Sequence, residues 1–258
     1  MKKLLLIFSV IVVIAIHPAL AQKSYWASAG EMIFSYGDVN VDDPSVDVHP
    51  VVRWSPFFNL QAQFHHNFNQ SVGIYTGLGI RNVGLISRIN FVDTSGGDLT
   101  SKEARVKERS YSLGLPLALT LGNVDEGTHV SIGAEAELMF AYKRKIFVDD
   151  SKSKSSAWFS DNVNLFNPSA FVEFNFSKGP YIRFKYYLMD FLNYQGITIS
   201  ETKIADYGPK SPLFYISIGS ANIVSELERN INSKPKEGSA YFRTKKKDQK
   251  NADAASAF

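Results

Sequence analysis

The segment Ser110–Leu121, SYSLGLPLALTL, decides the fold, because apolar and small residues alternate along its whole length. One face carries Tyr111, Leu113, Leu115, Leu117, Leu119 and Leu121. The other face carries Ser110, Ser112, Gly114, Pro116, Ala118 and Thr120. A period of two belongs to a β-strand, whereas a helix returns to the same face after three or four residues. The segment therefore predicts a strand with one strongly apolar face.

The same alternation occurs in seven other segments, so the sequence predicts eight strands. They are Tyr25–Tyr36, Phe57–His66, Ser71–Phe91, His129–Lys143, Phe166–Phe176, Pro180–Leu188 and Leu213–Ile223. Long and short connections alternate between them. The long ones are Gly37–Ser55, Val92–Arg109, Asp149–Leu165 and Asn193–Pro212, and the short ones are Asn67–Gln70, Gly122–Thr128 and Ser177–Gly179. An even number of strands with this alternation is typical of outer-membrane barrels, whose long loops lie outside and whose short turns are periplasmic.

The distribution of charge indicates which face meets lipid. The apolar faces carry no charged residue, whereas the opposite faces carry Glu31, Arg81, Glu135, Glu137, Glu173, Arg183 and Lys185. Both signs are present, as expected of a narrow polar lumen in which charges pair. We therefore predict an all-β, eight-stranded antiparallel up-and-down transmembrane β-barrel with short periplasmic turns and long outer loops. A soluble barrel of the lipocalin type, with its apolar faces turned inward, is the alternative.

Aromatic residues are concentrated near the predicted strand ends, which indicates two interfacial girdles. The short-turn group is Trp26, Phe64, Phe68, Phe174, Phe176 and Tyr181. The long-loop group is Trp54, Phe57, Tyr111, Phe140, Tyr142, Phe166 and Phe191. An interior of eight strands is just wide enough for its own side chains. Lumen aromatics would narrow it further, namely Tyr75, Phe171, Tyr181, Tyr187 and Tyr215.

The two ends of the chain differ from the body in charge. Residues 1–21 combine Lys2 and Lys3, an apolar run from Leu4 to Ile16, and an Ala-Leu-Ala site, which is typical of a cleaved signal peptide. Residues 22–223 form the predicted barrel, and residues 224–258 form a basic tail that we expect to be disordered in the periplasm. The net charge of +3 is thus carried by the ends rather than by the barrel. The signal peptide and the predicted barrel strands together indicate that the protein is located in the cell outer membrane.

Three segments carry a resemblance to a known family. They are Phe57–Leu60 leading to Phe68, the run Gly73–Gly84 with its alternating glycines, and Tyr111–Leu117 with a proline inside an apolar strand. They resemble the outer-membrane β-barrel domain proteins of the porin-like superfamily, in particular the small barrels of Bacteroidetes-type bacteria. The resemblance covers residues 24–223 and implies fold and location rather than an activity. Such barrels often end on a strand with a terminal aromatic residue, whereas Phe258 here ends a polar segment.

The sequence predicts no enzyme, cofactor or metal site. It contains no cysteine and no H-E-x-x-H, P-loop or G-x-S-x-G motif. His65 and His66 point to opposite faces of one strand, and Glu135 and Glu137 are expected to pair with Arg183 and Lys185 in the lumen. An outer-membrane hydrolase would need a catalytic constellation that these residues do not supply.

The expected role is therefore that of a non-enzymatic integral outer-membrane barrel with a structural, adhesive or export and assembly accessory role. The alternatives are a soluble periplasmic lipocalin-like barrel binding an apolar ligand, and a narrow pore for small solutes. Expected partners are outer-membrane lipid, the barrel insertion machinery, and peptidoglycan or a periplasmic partner bound through the basic tail. The small net charge argues against nucleic acid.

Overall fold

The strands of the protein are seen in a computed structural model that describes residues 23–39, 46–93, 100–124, 127–193, 197–199, 202–205 and 210–224. They are β1 Lys23–Gly37, β2 Asp47–Val51, β3 Arg53–Ser55, β4 Leu60–Asn67, β5 Val72–Asp93, β6 Thr100–Asn123, β7 Thr128–Val148, β8 Ser151–Trp158, β9 Phe166–Asn175, β10 Pro180–Tyr187, β11 Ile197–Ile199, β12 Thr202–Ala205 and β13 Leu213–Ile223. Within these ranges, no helix has the length and hydrophobicity of a transmembrane span. The predicted signal peptide, and the predicted tail beyond residue 224, lie outside the described residues.

Eight of the strands form a closed ring. Their order is β1, β4, β5, β6, β7, β9, β10 and β13, and β13 pairs with β1 to close the sheet. From β1 through to β13, each strand of the ring pairs antiparallel with the next. Sequence neighbours are also neighbours in space, so the topology is up-and-down. This confirms the prediction of an eight-stranded antiparallel barrel.

The long connections differ from the prediction, because most of their described residues form strands rather than irregular loops. β5 and β6 have 22 and 24 residues, so the predicted loop Val92–Arg109 is largely the outer part of one long hairpin. β2 and β3 lie within the predicted loop Gly37–Ser55, and β8 lies within Asp149–Leu165. β11 and β12 form a separate two-stranded sheet within Asn193–Pro212. The barrel wall therefore continues well past the predicted strand ends on this side, which we call the long-connection end.

Polarity reverses along the wall, and this explains the error. Between Leu121 and Tyr111 the outward residues of β6 are leucines and the inward ones are small or polar. Beyond Tyr111 the outward residues are charged, while the inward residues Val106 and Ala104 are buried. Inward side chains of this outer part join an apolar core that also includes Leu85 and Ile89. The outer part is thus built like an ordinary soluble sheet, and its exposed charges resemble a loop in the sequence.

A β-bulge marks the place where the two parts meet. In the pairing of β6 with β7, Ser112 lies opposite Met139, whereas Tyr111 lies opposite Ala141. One residue of β7, Phe140, is therefore additional, and the side chains beyond it change from even to odd numbering on the outward face. This shift brings Lys143 and Lys145 to the outside of the wall.

Candidate functional site: the charged barrel interior

The seven charged residues predicted for the lumen lie together inside the barrel. Glu31 comes from β1, Arg81 from β5, Glu135 and Glu137 from β7, Glu173 from β9, and Arg183 and Lys185 from β10. Each is buried, and the most exposed of them, Glu31, retains only 7% of its accessible surface. The strict alternation of the strands explains this, because every one of these residues occupies a position opposite to the apolar face. The sequence therefore anticipated the position of this cluster, while any role for it stays a prediction.

Arg81 links two of the carboxylates across the barrel. Its Nε donates to Oε1 of Glu31 at 2.7 Å, and its Nη1 donates to Oε1 of Glu135. Its Nη2 donates to the side-chain oxygen of Gln61 at 2.9 Å. All three nitrogens of the guanidinium therefore have acceptors on three different strands. An arginine suits this position because its planar fork presents several donors in fixed directions.

Arg183 and Lys185 complete the network from β10. Arg183 bonds Glu173 at 2.5 Å through Nη2 and lies 3.3 Å from Oε1 of Glu31 through Nη1. Lys185 donates to Oε2 of Glu135 at 2.7 Å and also to Glu137. Every carboxylate of the set thus has at least one cation, and Glu31 and Glu135 each have two. Paired and hydrogen-bonded charges of this kind are what a buried position requires.

Neutral groups supply the remaining hydrogen bonds of the carboxylates. The hydroxyls of Ser112 and Tyr187 donate to Oε2 of Glu137, at 2.5 and 3.1 Å. The hydroxyl of Ser217 donates to Oε2 of Glu31 at 2.5 Å. Four carboxylates face three cations, so these hydroxyl donors help to compensate one excess negative charge.

Glycine makes room for the network at its centre. A Cβ atom placed on Gly114 would lie 1.9 Å from Oε1 of Glu135 and 3.1 Å from Nη1 of Arg81. Neither group can move freely, because each is held by other charged partners. A side chain at this position would therefore separate the ion pairs rather than fill an empty space.

We expect Gly114→Ala to destabilise the barrel by about 1 to 3 kcal/mol, the range for overpacking a filled interior. The measurement is urea unfolding of the purified barrel in neutral detergent. Gly30→Ala is the matched control, because its Cβ would lie 3.6 Å from Leu60, an ordinary contact. Equal unfolding midpoints for the two variants would contradict the crowding inferred at Gly114.

Aromatic side chains surround the charged network. The five lumen aromatics predicted from the alternation are all buried, namely Tyr75, Phe171, Tyr181, Tyr187 and Tyr215. The guanidinium of Arg183 lies 5.1 Å from the ring centre of Phe171 and 5.2 Å from that of Tyr181. The ammonium of Lys185 lies 5.5 Å from the ring centre of Tyr187. These cation–π contacts hold rings and charges together as one packed layer across the interior.

His65, His66 and the interior carboxylates are held by neighbouring side chains. Groups of three or more potential metal ligands are absent from the ranges the structure describes. His65 faces the interior, where its Nε2 lies 3.0 Å from Gln63, while His66 contacts Ser24 at 2.8 Å on the other side. The two histidines therefore point to opposite faces, as predicted. The interior carboxylates are held by ion pairs, which is a packing arrangement rather than that of a general base.

Of the thirteen aromatic residues assigned to the two girdles, ten lie on the outward surface and three do not. Tyr142 and Phe191 were assigned to the long-loop girdle, but both are buried in the apolar core of the outer part. Tyr181 faces the lumen and not the short-turn girdle. Trp158, which the sequence did not single out, joins a ladder of rings at the long-connection end. In it Phe58 contacts Tyr111, Tyr111 contacts Phe140, and Phe140 contacts Trp158, with ring centres 5.8 to 6.3 Å apart.

Comparisons with known proteins give no family. No family model and no curated protein matches the chain. Among solved structures, the chain is similar to Ail, the attachment invasion locus protein of Yersinia pestis in complex with a heparin analogue, with 13% identity, a TM-score of 0.33, and coverage of 77% of this chain and 99% of that one. It is also similar to Neisserial surface protein A, with 7% identity, a TM-score of 0.32, and coverage of 78% and 97%.

A third similar structure is the N-terminal β-barrel domain of Pseudomonas aeruginosa OprF, with 8% identity, a TM-score of 0.25, and coverage of 76% and 97%. Because these TM-scores are low, the fold is assigned from the strand pairing of the barrel itself. The assignment to small barrels of the Bacteroidetes type stays a prediction.

Proposed function

We propose that the protein is a non-enzymatic integral barrel of the bacterial outer membrane, with a closed lumen, that acts through its outer surface in a structural or adhesive role. The observation that carries this proposal is the inside-out polarity of the barrel. Residues on the outward face are exposed leucines, isoleucines and aromatics, while the inward face holds the charged network. A barrel in water would expose a large apolar belt at a high cost, whereas lipid covers that belt.

The height of the apolar belt fits a bilayer. Tyr111 and Leu121 bound the outward apolar residues of β6. The ten steps between them correspond to about 33 Å of strand at ~3.3 Å per residue. A tilt of about 40° reduces this to a height of about 25 Å, which is that of the apolar band in outer-membrane barrels. Exposed rings lie at both ends of the belt, with Trp26 and Phe176 at the short-turn end and Trp54 and Trp158 at the other.

The alternative of a soluble lipocalin-like barrel requires the apolar faces to turn inward. They turn outward instead, since Leu115 and Leu117 are 59% and 63% exposed. The interior at the same level is occupied by ion pairs such as Arg81 with Glu31. It is therefore a poor site for an apolar ligand, because any such ligand would have to displace paired charges.

The closed lumen is part of the proposal and argues against the narrow pore. Arg81, Arg183 and Lys185 reach carboxylates on other strands, and the lumen tyrosines pack around them. A conducting path would have to break these pairs. The proposal includes export of the chain. Its expected partners are outer-membrane lipid, the barrel insertion machinery, and peptidoglycan or a periplasmic partner at the basic tail.

The proposal is tested by fractionation and by electrophoresis of unheated and boiled samples of the full chain. We expect the protein in the outer-membrane fraction and a folded form that migrates differently from the boiled form. Planar bilayer recording should show no steady conductance for wild type. Recovery with soluble periplasmic protein without a heat-dependent shift would refute membrane insertion, whereas stable channels would refute the closed lumen alone.

A further inference from the structure

Seven basic side chains lie on the outward surface just beyond the outer aromatic ladder. We call them the cationic face, which consists of Arg105, Lys107, Arg109, Lys143, Lys145, Lys152 and Lys154. They lie on β6, β7 and β8, on the same face of the wall that carries leucines nearer the short turns. These side chains therefore point outward from the barrel wall, away from the interior, and contact the medium around the barrel.

The strand register places these cations directly beside one another. Lys107 lies opposite Lys145, which lies opposite Lys154, so three ammonium groups form one row across three strands. Arg109 lies opposite Lys143 in the next row toward the belt. Like charges on directly opposite residues of neighbouring strands destabilise a sheet. Such rows are better explained by an external anion than by the stability of the fold.

The described part of the chain supplies no ion-pair partner for the cationic face. Among the residues that the structure describes, no carboxylate lies within 4.0 Å of any of its seven cationic groups. Glu108, the carboxylate bordering the cleft between these side chains, is engaged by Arg144 at 2.8 Å and by the hydroxyl of Tyr142 at 2.7 Å. Phe147 lies among the cations, with the Arg105, Lys107 and Lys152 side chains 5.2 to 5.6 Å from its ring centre.

The electrostatics of the lysines agree with this picture. Partial burial, and then the neighbouring Arg105, Lys145 and Arg53, lower the pKa of Lys107 below its usual value. The pKa of Lys145 is lowered in the same way, by desolvation and then by Lys152, Arg109 and Lys154. A nearby anion would relieve the repulsion and favour the protonated forms.

The height of the cationic face above the aromatic ladder indicates which kind of anion it meets. Arg109 and Lys107 lie two and four residues beyond Tyr111 on β6. At ~3.3 Å per residue and a tilt of about 40°, their rows lie about 5 and about 10 Å above the aromatic ladder. Aromatic belts lie at headgroup level, and the headgroup layer on each side of a bilayer is about 5 to 7 Å thick. Long basic side chains at this height reach the lipid phosphates.

We propose that the cationic face binds the phosphate groups of anionic lipid headgroups in the outer leaflet around the barrel. The proposal rests on the membrane insertion proposed above. A cleft of about 170 Å³ between the basic side chains provides the deepest position for a phosphate. Its basic and aromatic lining consists of Arg53, Trp54, Lys107, Arg109, Lys143 and Lys145.

The test measures binding of fluorescent diphosphoryl lipid A to the full chain in neutral maltoside detergent by anisotropy. We expect Lys143→Gln/Lys145→Gln to weaken binding by about 10- to 30-fold, from the attraction of two basic residues to an anionic surface. Arg88→Gln/Lys102→Gln is the matched control. It removes the same charge from the same outer part, at residues within 4.0 Å of Glu103 and Asp149, and should change binding less than about twofold.

Four competitors identify the source of the phosphate. Unlabelled diphosphoryl lipid A should displace the probe, while dephosphorylated lipid A, inorganic pyrophosphate and soluble dextran sulfate should not do so at the same concentration. Equal binding by wild type and Lys143→Gln/Lys145→Gln, or equal competition by dephosphorylated lipid A, would overturn the proposal. Tighter competition by dextran sulfate would replace lipid with a soluble polyanion. A normal heat-dependent gel shift of the same samples keeps a failure here distinct from a failure of membrane insertion.

A pH series gives the same test a second readout. A phosphate raises the pKa values of the lysines, so binding takes up protons where the free lysines begin to lose them. Affinity should therefore fall over the alkaline range below the ordinary lysine pKa, earlier than ordinary lysines would titrate, because the pKa values of Lys107 and Lys145 are lowered. The groups that act on Lys145 include Lys107 and Arg109 from β6 and Lys152 and Lys154 from β8. Unchanged affinity across this range would contradict a role for these lysines.

Discussion

Arg81→Met should destabilise the folded barrel by about 3 to 5 kcal/mol, the cost of removing one partner of a buried ion pair. Arg81 is fully buried and contacts Glu31 and Glu135, which lie on opposite sides of the network. The variant leaves four interior carboxylates facing only Arg183 and Lys185. Methionine preserves much of the volume, so the loss reports charge rather than a cavity. Urea unfolding in neutral detergent, followed by tryptophan fluorescence, measures the change.

Two further variants separate charge from packing. Arg81→Met/Glu135→Gln removes one carboxylate along with the guanidinium, and we expect it to regain part of the lost stability. Arg88→Met is the control, since Arg88 on the same strand is half exposed and pairs only loosely with Glu103 at 4.0 Å. Its effect should stay within about 0.5 kcal/mol. If Arg81→Met unfolds at the same urea concentration as Arg88→Met, the interior network contributes nothing to stability.

Leu115→Arg should cost about 2 to 4 kcal/mol in lipid, the range for arginine near the bilayer midplane on a barrel surface. Leu115 is 59% exposed and lies near the middle of the apolar belt of β6. In a water-soluble barrel the same substitution would be close to neutral, because an exposed leucine has little to lose. Ile132→Arg on β7, at 52% exposure, should behave alike. Urea unfolding of barrels refolded into phosphatidylcholine vesicles provides the measurement.

Ser101→Arg is the matched control for Leu115→Arg. Ser101 is exposed on the same strand, well beyond Tyr111, in the part of the wall whose outward residues are charged. Its substitution should leave the midpoint in vesicles unchanged within about 0.5 kcal/mol. Variants of Leu115 and Ile132 that fold in buffer without detergent and match Ser101→Arg in stability would rule out a lipid-facing belt.

The sequence predicts the part of the barrel that carries the apolar belt well, because there the two faces differ sharply in chemistry. In β6 a leucine alternates with a serine, glycine or alanine, and in β10 Arg183 and Lys185 alternate with Ile182 and Phe184. Such alternation assigns each charged residue to the interior without knowledge of its partners. The partners themselves come from register, which the sequence does not specify. It anticipated that Lys185 would pair with Glu135 and Glu137, but the predicted pairing of these carboxylates with Arg183 is wrong, because Arg183 pairs with Glu31 and Glu173 instead. The link that Arg81 makes between Glu31 and Glu135 was not predicted.

The sequence did not predict the outer part of the wall, because there the two faces no longer differ sharply in chemistry. Beyond Tyr111 charges lie on both faces, since Glu108 faces inward toward Arg144 while Lys107 and Arg109 face outward. Alternation between apolar and polar residues is therefore lost from the pattern, and the segment resembles a solvated loop. The bulge at Phe140 also changes the parity of β7, so that an unbroken period of two assigns Lys143 to the wrong face.

The extended outer part of the wall affects how such a barrel can be assembled. In a barrel that inserts from the periplasm, everything beyond the aromatic ladder must first cross the hydrocarbon layer, including the cationic face and the buried pair of Glu108 and Arg144. Each basic group at the bilayer centre costs about 2 to 4 kcal/mol, so seven on three neighbouring strands would form a steep barrier to spontaneous insertion. The same charges then oppose withdrawal. With the membrane insertion proposed above, the outer part would therefore slow any reversal of orientation once translocation is complete.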